Sequence, residues 1–307
     1  LAPVPGAIEN VGAQTVLVEI NDNYHIDFGD LETKAKNSKA KFLLLSHMRG
    51  HITNMDKLVE ICKSLDIKII EDCAHTMGAK WSGKRSGNFG IVSAFSTQTY
   101  KHINSGEGGF LTTNDEQIIA KAIIHSGSYM LYGRHESSPN DDIFENIKLK
   151  SANFSGRMDN LRSAILIPQL SKLDNKIVQW NKLYDEISNN LKRQNGIFLP
   201  TRDKKEYYVG SSIQFRLKEF DDSLIKLFVN NCKSRGVDLK WFGDKNPIAY
   251  TSRYDSWEYI KKIPILSQTL NILKTTLDMR IPLTFDIDDC KVISNIIIEE
   301  FNKLNLQ

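Results

Sequence analysis

The stretch that decides the fold is residues 69–115, which read IIEDCAHTMGAKWSGKRSGNFGIVSAFSTQTYKHINSGEGGFLTTND. A short apolar run at residues 67–70 leads into it, and two further candidate strands lie inside it at 92–95 and 109–113. Short, apolar and partly β-branched runs are typical of buried strands. Because α/β sheets place ligand-binding groups at the carboxyl ends of their strands, the polar residues after these runs predict a functional edge.

Outside this stretch, the N-terminal half also alternates between predicted strands and helices. Residues 16–20 and 42–45 are apolar runs of strand length. Between 42–45 and 67–70, the apolar residues of 55–65 recur at helical spacing. Strand, crossover helix and strand form the βαβ unit of a parallel sheet that is covered by helices. The sequence therefore predicts an α/β fold.

The sequence pattern changes after about residue 155. A predicted helix at 158–173 contains Pro168, which predicts a kink or break there. Further along, the pattern indicates strands at 207–217 and 237–241, a helix at 224–234 and a last helix from Asp288. One face of a long helix is traced by Ile177, Trp180, Tyr184, Ile187 and Leu191. We therefore expect a large domain at 1–175 and a smaller C-terminal α/β domain at 176–307.

Composition and charge narrow the class of protein. The chain has 307 residues, of which 41% are hydrophobic and 25% charged, which is ordinary for a soluble globular protein. Its net charge of +3 is too small to indicate nucleic acid or an anionic membrane surface as a partner. No apolar run has the length that a bilayer span needs, and the first residues lack the pattern of a signal peptide. We expect a cytoplasmic protein.

The four cysteines are Cys62, Cys73, Cys232 and Cys290. They are scattered along the chain, and none forms a CxxC pair. A chain of this length with this share of apolar residues does not need a disulfide framework. We therefore expect free thiols, most of them packed inside.

Three features of residues 69–115 suggest chemistry, and each has a plain structural alternative. Asp72 stands just past a predicted strand, where ligand-binding carboxylates occur but structural ones are common too. Glu71 is expected to point to the opposite side. Ser96 to Lys101 form a polar loop that could bind a phosphate. The structural alternative is a polar surface loop with an exposed lysine, because lysines are mostly exposed. The turn Gly106–Gly109 suits either a close backbone approach or a hairpin.

Order and spacing favour the functional interpretation. The segments EDCAHTMGA, GKRSGNFG and FSTQTYKHINSGEGG resemble the signature of the DegT/DnrJ/EryC1/StrS family of sugar aminotransferases, and NFSGRMDN at 153–160 resembles the family's N-x-R-M stretch. The resemblance implies an aminotransferase of pyridoxal-phosphate (PLP) fold type I. Such a protein has a mixed, mostly parallel sheet covered by helices, with a smaller C-terminal α/β domain. The family's earlier phosphate turn and stacking aromatic are not found, so we expect the N-terminal part of the large domain to lie before residue 1.

The resemblance also implies roles for four residues near the cofactor. Lys101 would form the Schiff base with PLP and carry the transferred proton, which requires an amine that is free near neutral pH. Asp72 would pair with the pyridine nitrogen. His75 would lie beside the ring, with a structural histidine as the alternative, and Ser96 would donate to the phosphate.

Further implied residues lie outside this stretch. Asn153 and Arg157 would bind in the partner subunit's site, because relatives are homodimers with shared active sites, although Arg157 also fits a helix start. His47 and Arg49 lie in a turn where relatives show V-H-L-Y-G, and they are candidates for substrate binding. Arg49 would then face an acidic group of the substrate. A metal site at His47 and His51 is not predicted, since no acidic ligand stands at a recognised spacing.

The implied activity is transfer of an amino group from glutamate or glutamine to a keto sugar, nucleotide-linked or a sugar acid, by a ping-pong mechanism. Residues 241–250 are expected to select the acceptor. One alternative is a related sugar dehydratase, in which histidine replaces the lysine that is Lys101 here. Others are a regulatory or binding protein without turnover and an unrelated doubly wound protein. No GxGxxG motif follows the first predicted strand, which argues against dinucleotide binding.

Overall fold

The computed structural model describes residues 3–127, 129–246 and 253–305. The first half contains α1 (Pro3–Asn10), α2 (Phe28–Ser38), β1 (Phe42–Ser46), α3 (Met55–Ser64), β2 (Lys68–Asp72), β3 (Lys80–Trp81), β4 (Lys84–Arg85), β5 (Val92–Ser96), β6 (Gly109–Thr112), α4 (Glu116–Ser126) and α5 (Asp141–Glu145). The second half contains α6 (Asn160–Leu170), α7 (Leu173–Lys192), β7 (Ile197–Phe198), β8 (Glu206–Tyr207), β9 (Ser212–Leu217), α8 (Asp222–Ser234), β10 (Lys240–Trp241), α9 (Ser267–Lys274), β11 (Thr276–Arg280) and α10 (Ile287–Asn305). Short 3-10 turns lie at Met48–Gly50, Tyr132–Arg134 and Tyr254–Ser256.

The main sheet has the strand order β1-β2-β5-β6. Its first three strands are parallel, and β6 runs antiparallel to β5. The register places Ser46 opposite Asp72 and Ser96 opposite Gly109. The carboxyl ends of β1, β2 and β5 therefore meet at one edge, together with the start of β6. This edge carries most of the predicted site residues.

The crossover helix α3 shows why the βαβ prediction holds. Asn54 caps its first turn by accepting a hydrogen bond from the Lys57 N–H at 3.0 Å. Its apolar face, with Met55, Leu58 and Ile61, is buried. The predicted strands at 42–45, 67–70, 92–95 and 109–113 and the predicted helix at 55–65 are confirmed, each within two residues at either end.

The predicted strand at 16–20 is wrong. Within the described residues this segment forms only an isolated bridge between Ile20 and Ile26. Its backbone donors bind side chains instead of a neighbouring strand: the Glu19 N–H donates to Asp30 at 2.7 Å, and the Ile20 N–H donates to Thr269 at 3.1 Å. An apolar run whose N–H groups are satisfied in this way does not need to join a sheet.

The C-terminal part is built on a second, antiparallel sheet with the order β10-β11-β9-β7. Helices α7, α8 and α10 contribute to the same buried apolar cluster as β9 and β11. The predicted helix at 158–173 ends at Leu170, two residues after Pro168, and α7 begins at Leu173. The predicted strands at 207–217 and 237–241 are shorter than expected, because 208–211 interrupt the first and the second retains only β10.

Two buried apolar clusters share helix α7. Its first turns place Ile177 and Trp180 in a cluster with the main sheet and α3, while Leu183 and Ile187 belong to the C-terminal cluster. The predicted boundary between residues 175 and 176 falls inside this helix. The division into a large and a small domain stays a prediction.

Two further expectations concern cysteines and membranes. All four cysteines are buried with free thiols, as predicted. Among the described residues, none of the helices combines the length and the apolar character that crossing a bilayer would require.

Candidate active site

Lys101 lies in the loop that follows β5, with its side chain half-buried. Its Nζ is 2.9 Å from Nε2 of His75. Burial lowers the pKa of Lys101 to about 8; the Asp72 carboxylate opposes this shift, and the charges of Arg49 and Arg280 reinforce it. About a tenth of the amine is therefore free at pH 7, far more than for an ordinary lysine, and the free amine is the form that attacks a carbonyl carbon.

Asp72 ends β2 at the functional edge of the sheet. The Ser46 hydroxyl donates to its Oδ2 at 2.7 Å, and the Ala74 N–H donates to its Oδ1 at 3.1 Å. The parallel register of β1 and β2 places Ser46 beside it. Two donors thus fix a half-buried carboxylate that lies close enough to Lys101 to act on the amine's pKa.

Glu71 points to the other side of β2, as expected, and its side chain is fully buried. It accepts hydrogen bonds from three backbone N–H groups, those of Gly87 at 2.9 Å, Phe89 at 2.6 Å and Gly90 at 2.8 Å. Burial opposes ionisation of Glu71, but His47 and these donors outweigh it and hold the carboxyl pKa below its ordinary value. The carboxylate therefore ties the loop before β5 to the sheet, a role that sequence reasoning missed.

His47 is buried against the same carboxylate, with its Nε2 3.2 Å from Oε2 of Glu71. This contact lies on the face of β2 opposite Asp72, so the structure does not bring His47 together with Lys101. Its predicted substrate contact has no support from this position. His47, Glu71 and Cys73 offer ligand-type atoms within 4.8 Å of one another, yet the Glu71 oxygens are already occupied by hydrogen bonds. Hydrogen bonding accounts for the cluster.

Arg49 was expected to face a substrate acid, but its guanidinium is buried against a protein carboxylate. Its Nη2 lies 2.9 Å from Oδ2 of Asp278 in β11. Gln214 in β9 donates to Oδ1 of Asp278 at 2.6 Å, and His51 lies 2.6 Å from Oε1 of Gln214. A buried polar layer therefore joins the turn after β1 to the C-terminal sheet. No sequence motif marked Asp278 as part of it.

His75 lies between Arg49 and Lys101 and is half-buried. The Arg49 N–H donates to its Nδ1 at 3.3 Å, and its Nε2 faces the Lys101 amine. Burial, with the nearby charges of Lys101 and Arg49, holds the pKa of His75 well below its ordinary value. The imidazole is therefore neutral at physiological pH.

Ser96 ends β5, and the loop after it returns to β6 as a hairpin. The Ser96 hydroxyl accepts a hydrogen bond from the Gln98 N–H at 3.3 Å. Gly108 has a φ of +134°, and a Cβ there would lie 2.8 Å from Oγ1 of Thr97 and from Cε of Met158. The turn Gly106–Gly109 leads into the antiparallel pair of β5 and β6, and it also allows a close backbone approach, because a Cβ at Gly109 would lie 2.5 Å from the Phe95 carbonyl oxygen.

Asn153 and Arg157 lie apart from these residues and are exposed. Arg157 Nη1 donates to the Gly127 carbonyl at 3.1 Å, and Asn153 Oδ1 accepts from the Ser155 N–H at 2.8 Å. The Arg157 side chain thus binds carbonyl groups at the end of α4, while Asn153 binds within its own loop. The structure does not bring them to Lys101 within one chain.

Arg280, at the end of β11, is a residue near Lys101 that sequence reasoning missed. Its guanidinium carbon lies 4.4 Å from the centre of the Tyr100 ring, and its Nη1 donates to the Tyr100 carbonyl at 3.2 Å. Only the fold brings it there, since it stands about 180 residues along the chain from Tyr100. No local pattern signals such a residue.

Comparisons with known proteins identify the family to which the chain belongs. The model of the DegT/DnrJ/EryC1/StrS aminotransferase family matches residues 4–293. GDP-perosamine synthase of Escherichia coli O157:H7 is 30% identical over 219 residues, which cover 71% of this chain and 57% of that protein. A dTDP-3-amino-3,6-dideoxy-alpha-D-galactopyranose transaminase of Aneurinibacillus thermoaerophilus is 33% identical over 215 residues, covering 69% and 55% respectively. The chain spans about half the length of the curated relatives it matches.

Solved structures support the fold. The aminotransferase TlmJ of Streptoalloteichus hindustanus superposes with a TM-score of 0.84 at 15% identity, covering 99% of this chain and 78% of that one. A 3-amino-5-hydroxybenzoic acid synthase superposes with a TM-score of 0.77 at 22% identity, covering 97% and 77%. The predicted fold class, PLP fold type I, is confirmed. With the family model matched over nearly the whole chain, this protein belongs to the DegT/DnrJ/EryC1/StrS aminotransferase family.

Proposed function

We propose that this chain is the catalytic part of a PLP-dependent aminotransferase that moves an amino group from glutamate or glutamine to a keto sugar. The observation that carries the proposal is Lys101, a half-buried lysine with a pKa of about 8 beside His75 and within the field of Asp72. An amine of this kind next to a fixed carboxylate is what carbonyl chemistry at neutral pH requires.

These residues fit PLP by the chemistry of their donor atoms. Lys101 would attach the cofactor covalently through Nζ, and the Asp72 carboxylate, already oriented by Ser46 and Ala74, would keep the ring nitrogen protonated. His75 would lie beside the ring, and the Ser96 hydroxyl would donate to the phosphate. When bound, PLP supplies an electron sink for the carbon that loses its proton.

The chain's own residues would supply proton transfer and positioning. The Lys101 amine would accept a proton at Nζ and return it, because its lowered pKa lets both forms be populated near neutral pH. The Asp278 carboxylate holds the Arg49 guanidinium in a buried ion pair. This pairing argues against our prediction that Arg49 binds an acidic group of the substrate.

The substrate class rests on the relatives. Their names include synthases and transaminases of GDP- and dTDP-linked amino sugars, which supports a nucleotide-linked keto sugar as acceptor. Others are named as L-glutamine:3-amino-2,3-dideoxy-scyllo-inosose aminotransferases, which keeps glutamine open as donor. Of the predicted acceptor-selecting segment, 241–250, the last four residues lie outside those that the structure describes.

A homodimer with shared active sites is part of the proposal. Helix α6, which follows Asn153 and Arg157, exposes several large apolar side chains, among them Leu161 at 73% and Ile167 at 70%. An exposed apolar face of this kind is typical of a surface that another protein covers. A second copy on this face would place Asn153 and Arg157 near the subunit boundary.

A cytoplasmic location also stays a prediction, and the four free thiols are compatible with it.

The test uses the full-length protein with PLP. We expect a yellow protein in which borohydride fixes the cofactor to Lys101, identified by peptide mass spectrometry. Adding glutamate or glutamine alone should bleach the yellow colour as the amino form of the cofactor accumulates. A dehydratase that lacks amino transfer would not complete this half-reaction, and a binding protein without turnover would stay yellow. Fixation at another lysine would overturn the proposal.

A further inference from the structure

His75 is in contact with two nitrogen groups at once, one on each ring nitrogen. The backbone N–H of Arg49 points at Nδ1 from 3.3 Å, and Nζ of Lys101 lies 2.9 Å from Nε2. A backbone N–H can only donate a hydrogen bond. Nδ1 must therefore be the acceptor, with its lone pair directed at Arg49.

This contact decides where the imidazole proton sits. A neutral imidazole carries one N–H, so a lone pair on Nδ1 places the proton on Nε2. The Nε2–H then points at Nζ of Lys101. An ammonium group has three N–H bonds and no lone pair, so it cannot accept this hydrogen bond, whereas a free amine can. The opposite tautomer would turn an N–H of the ring against the N–H of Arg49.

We infer that the Arg49 N–H fixes His75 as the Nε2–H tautomer, and that His75 thereby stabilises the free form of the Lys101 amine, the form that captures the cofactor. This inference rests on the proposed function, in which Lys101 attaches PLP. It makes His75 a positioning residue for Lys101 in addition to its predicted place beside the ring.

The backbone around Arg49 is built to aim that N–H. Arg49 has a φ of +54° inside the turn Met48–Gly50, a conformation that residues other than glycine rarely adopt. Its guanidinium is held on Asp278, a buried residue of another sheet. Gly50, with a φ of +82°, closes the turn by donating its N–H to the His47 carbonyl at 3.1 Å. The donor is therefore anchored from both sides.

Burial is the main cause of the lowered pKa of Lys101, and the charges around the pair act on it in opposite directions. Lys101 is faced by the Asp72 carboxylate, which favours the ammonium form, and by the guanidinium groups of Arg49 and Arg280, which disfavour it. His75 is faced by Lys101, Arg49, Arg280 and by His102, all of which oppose its protonation. The Arg49 charge is partly balanced by Asp278. A hydrogen bond that His75 donates to Nζ further stabilises the free amine relative to the ammonium form.

The direct test is the tautomer of His75 in the cofactor-free, full-length protein. Long-range proton–nitrogen NMR with ¹⁵N-histidine distinguishes the two neutral tautomers, and we expect Nε2–H at neutral pH. In Arg49→Gly the backbone N–H and the positive φ are kept while the guanidinium is removed, so the tautomer should be unchanged. An Nδ1–H tautomer in the native protein would overturn the inference, and this measurement requires no variant to fold.

A second test titrates the Lys101 amine by reductive methylation with ¹³C-formaldehyde. In His75→Ala the free fraction at neutral pH should fall roughly three- to tenfold, the size expected from losing one hydrogen bond. His75→Gln should restore it to within about twofold, because an amide can accept from Arg49 and donate to Nζ. Equal titration in all three proteins would overturn the inference. If borohydride fixes PLP elsewhere than Lys101, the proposed function fails; if it fixes Lys101 while His75 is Nδ1–H, only this inference fails.

Discussion

Oδ2 of Asp278 lies 2.9 Å from Nη2 of Arg49, and this ion pair connects β11 of the C-terminal sheet to the turn after β1 of the main sheet. Both side chains are buried. The pKa of the Asp278 carboxyl is raised, since burial outweighs the opposing effects of Arg49 and Gln214. A buried pair of this kind is most costly when only one partner is removed, because the other charge is left without compensation.

We therefore expect Asp278→Ala to lower the free energy of unfolding by about 3–5 kcal/mol. The double variant Arg49→Met/Asp278→Leu should recover most of that loss, because it replaces both charges with apolar groups. Urea unfolding followed by circular dichroism measures both. Equal losses in the single and double variants would show that the ion pair itself does not matter.

The pairing of Glu71 predicts a pH dependence of stability. Burial raises the folded-state pKa of Glu71, but His47 and the N–H groups of Gly87 and Gly90 lower it by more. The pKa therefore lies below its ordinary value of 4.5. A carboxyl whose pKa is lowered by folding stabilises the protein fully above its unfolded pKa, and loses this contribution as the pH falls through the folded pKa. Stability should therefore decline below about pH 4.5.

The matched variant is Glu71→Gln, which cannot ionise. We expect it to be less stable than the native protein at pH 7 by about 2–4 kcal/mol, because the buried donors lose a charged acceptor. The difference should shrink as the pH falls below the ordinary value of 4.5 and the native carboxylate becomes protonated. A difference that is constant with pH would contradict the assignment.

Sequence reasoning found the parts of the site that are local in the chain. Asp72, His75, Ser96 and Lys101 stand within about 30 residues of one another, at strand ends that the apolar runs marked correctly. Their geometry follows from the parallel register. The same reasoning anticipated the direction of Glu71, because neighbouring residues of a strand face opposite sides.

It did not find Asp278 and Arg280, which reach the site only through β11, a strand of the other sheet. Nothing near these residues in the sequence distinguishes them from other charged residues. The wrong strand at 16–20 has a similar cause. Its N–H groups are satisfied by Asp30 and by Thr269, and the second partner is about 250 residues away. Such partners are set by tertiary contacts, which a local pattern does not contain.

The hairpin after β5 predicts a difference between two glycines of one turn. Gly108→Ala should lower the free energy of unfolding by about 1–3 kcal/mol, because it adds a Cβ 2.8 Å from Thr97 and Met158 at a positive φ. Gly106→Ala is the control: its φ is +86°, but a Cβ there meets no atom within 4 Å. Thermal unfolding should show a larger loss of stability for Gly108→Ala than for Gly106→Ala. Equal losses would mean that the positive φ, and not the contact of the added Cβ, causes the destabilisation.

The proposed dimer predicts that the exposed apolar side of α6 is an interface. Ile167→Glu should shift the full-length protein toward the monomer in analytical ultracentrifugation, because a charge on a buried contact leaves an uncompensated ion. Ile265→Glu is the matched control, since Ile265 is 86% exposed and lies outside α6. A native protein that sediments as a monomer, or a dimer that Ile167→Glu leaves intact, would contradict the proposed interface.

The lowered pKa of Lys101 predicts how cofactor capture depends on pH. Only the free amine attacks the aldehyde of PLP, so the rate of capture by the cofactor-free protein should rise with pH and level off above about 8. With an ordinary lysine the rate of capture would continue to rise up to its usual pKa of 10.5.

Lys101→Ala should abolish covalent capture and reduce amino transfer by about 10²–10⁴-fold or more. Lys121→Ala, at an exposed lysine of α4, should change neither. A capture rate that still climbs between pH 9 and 10 would show that Lys101 reacts as an ordinary surface amine, and the case for it as the cofactor's lysine would then rest on sequence alone.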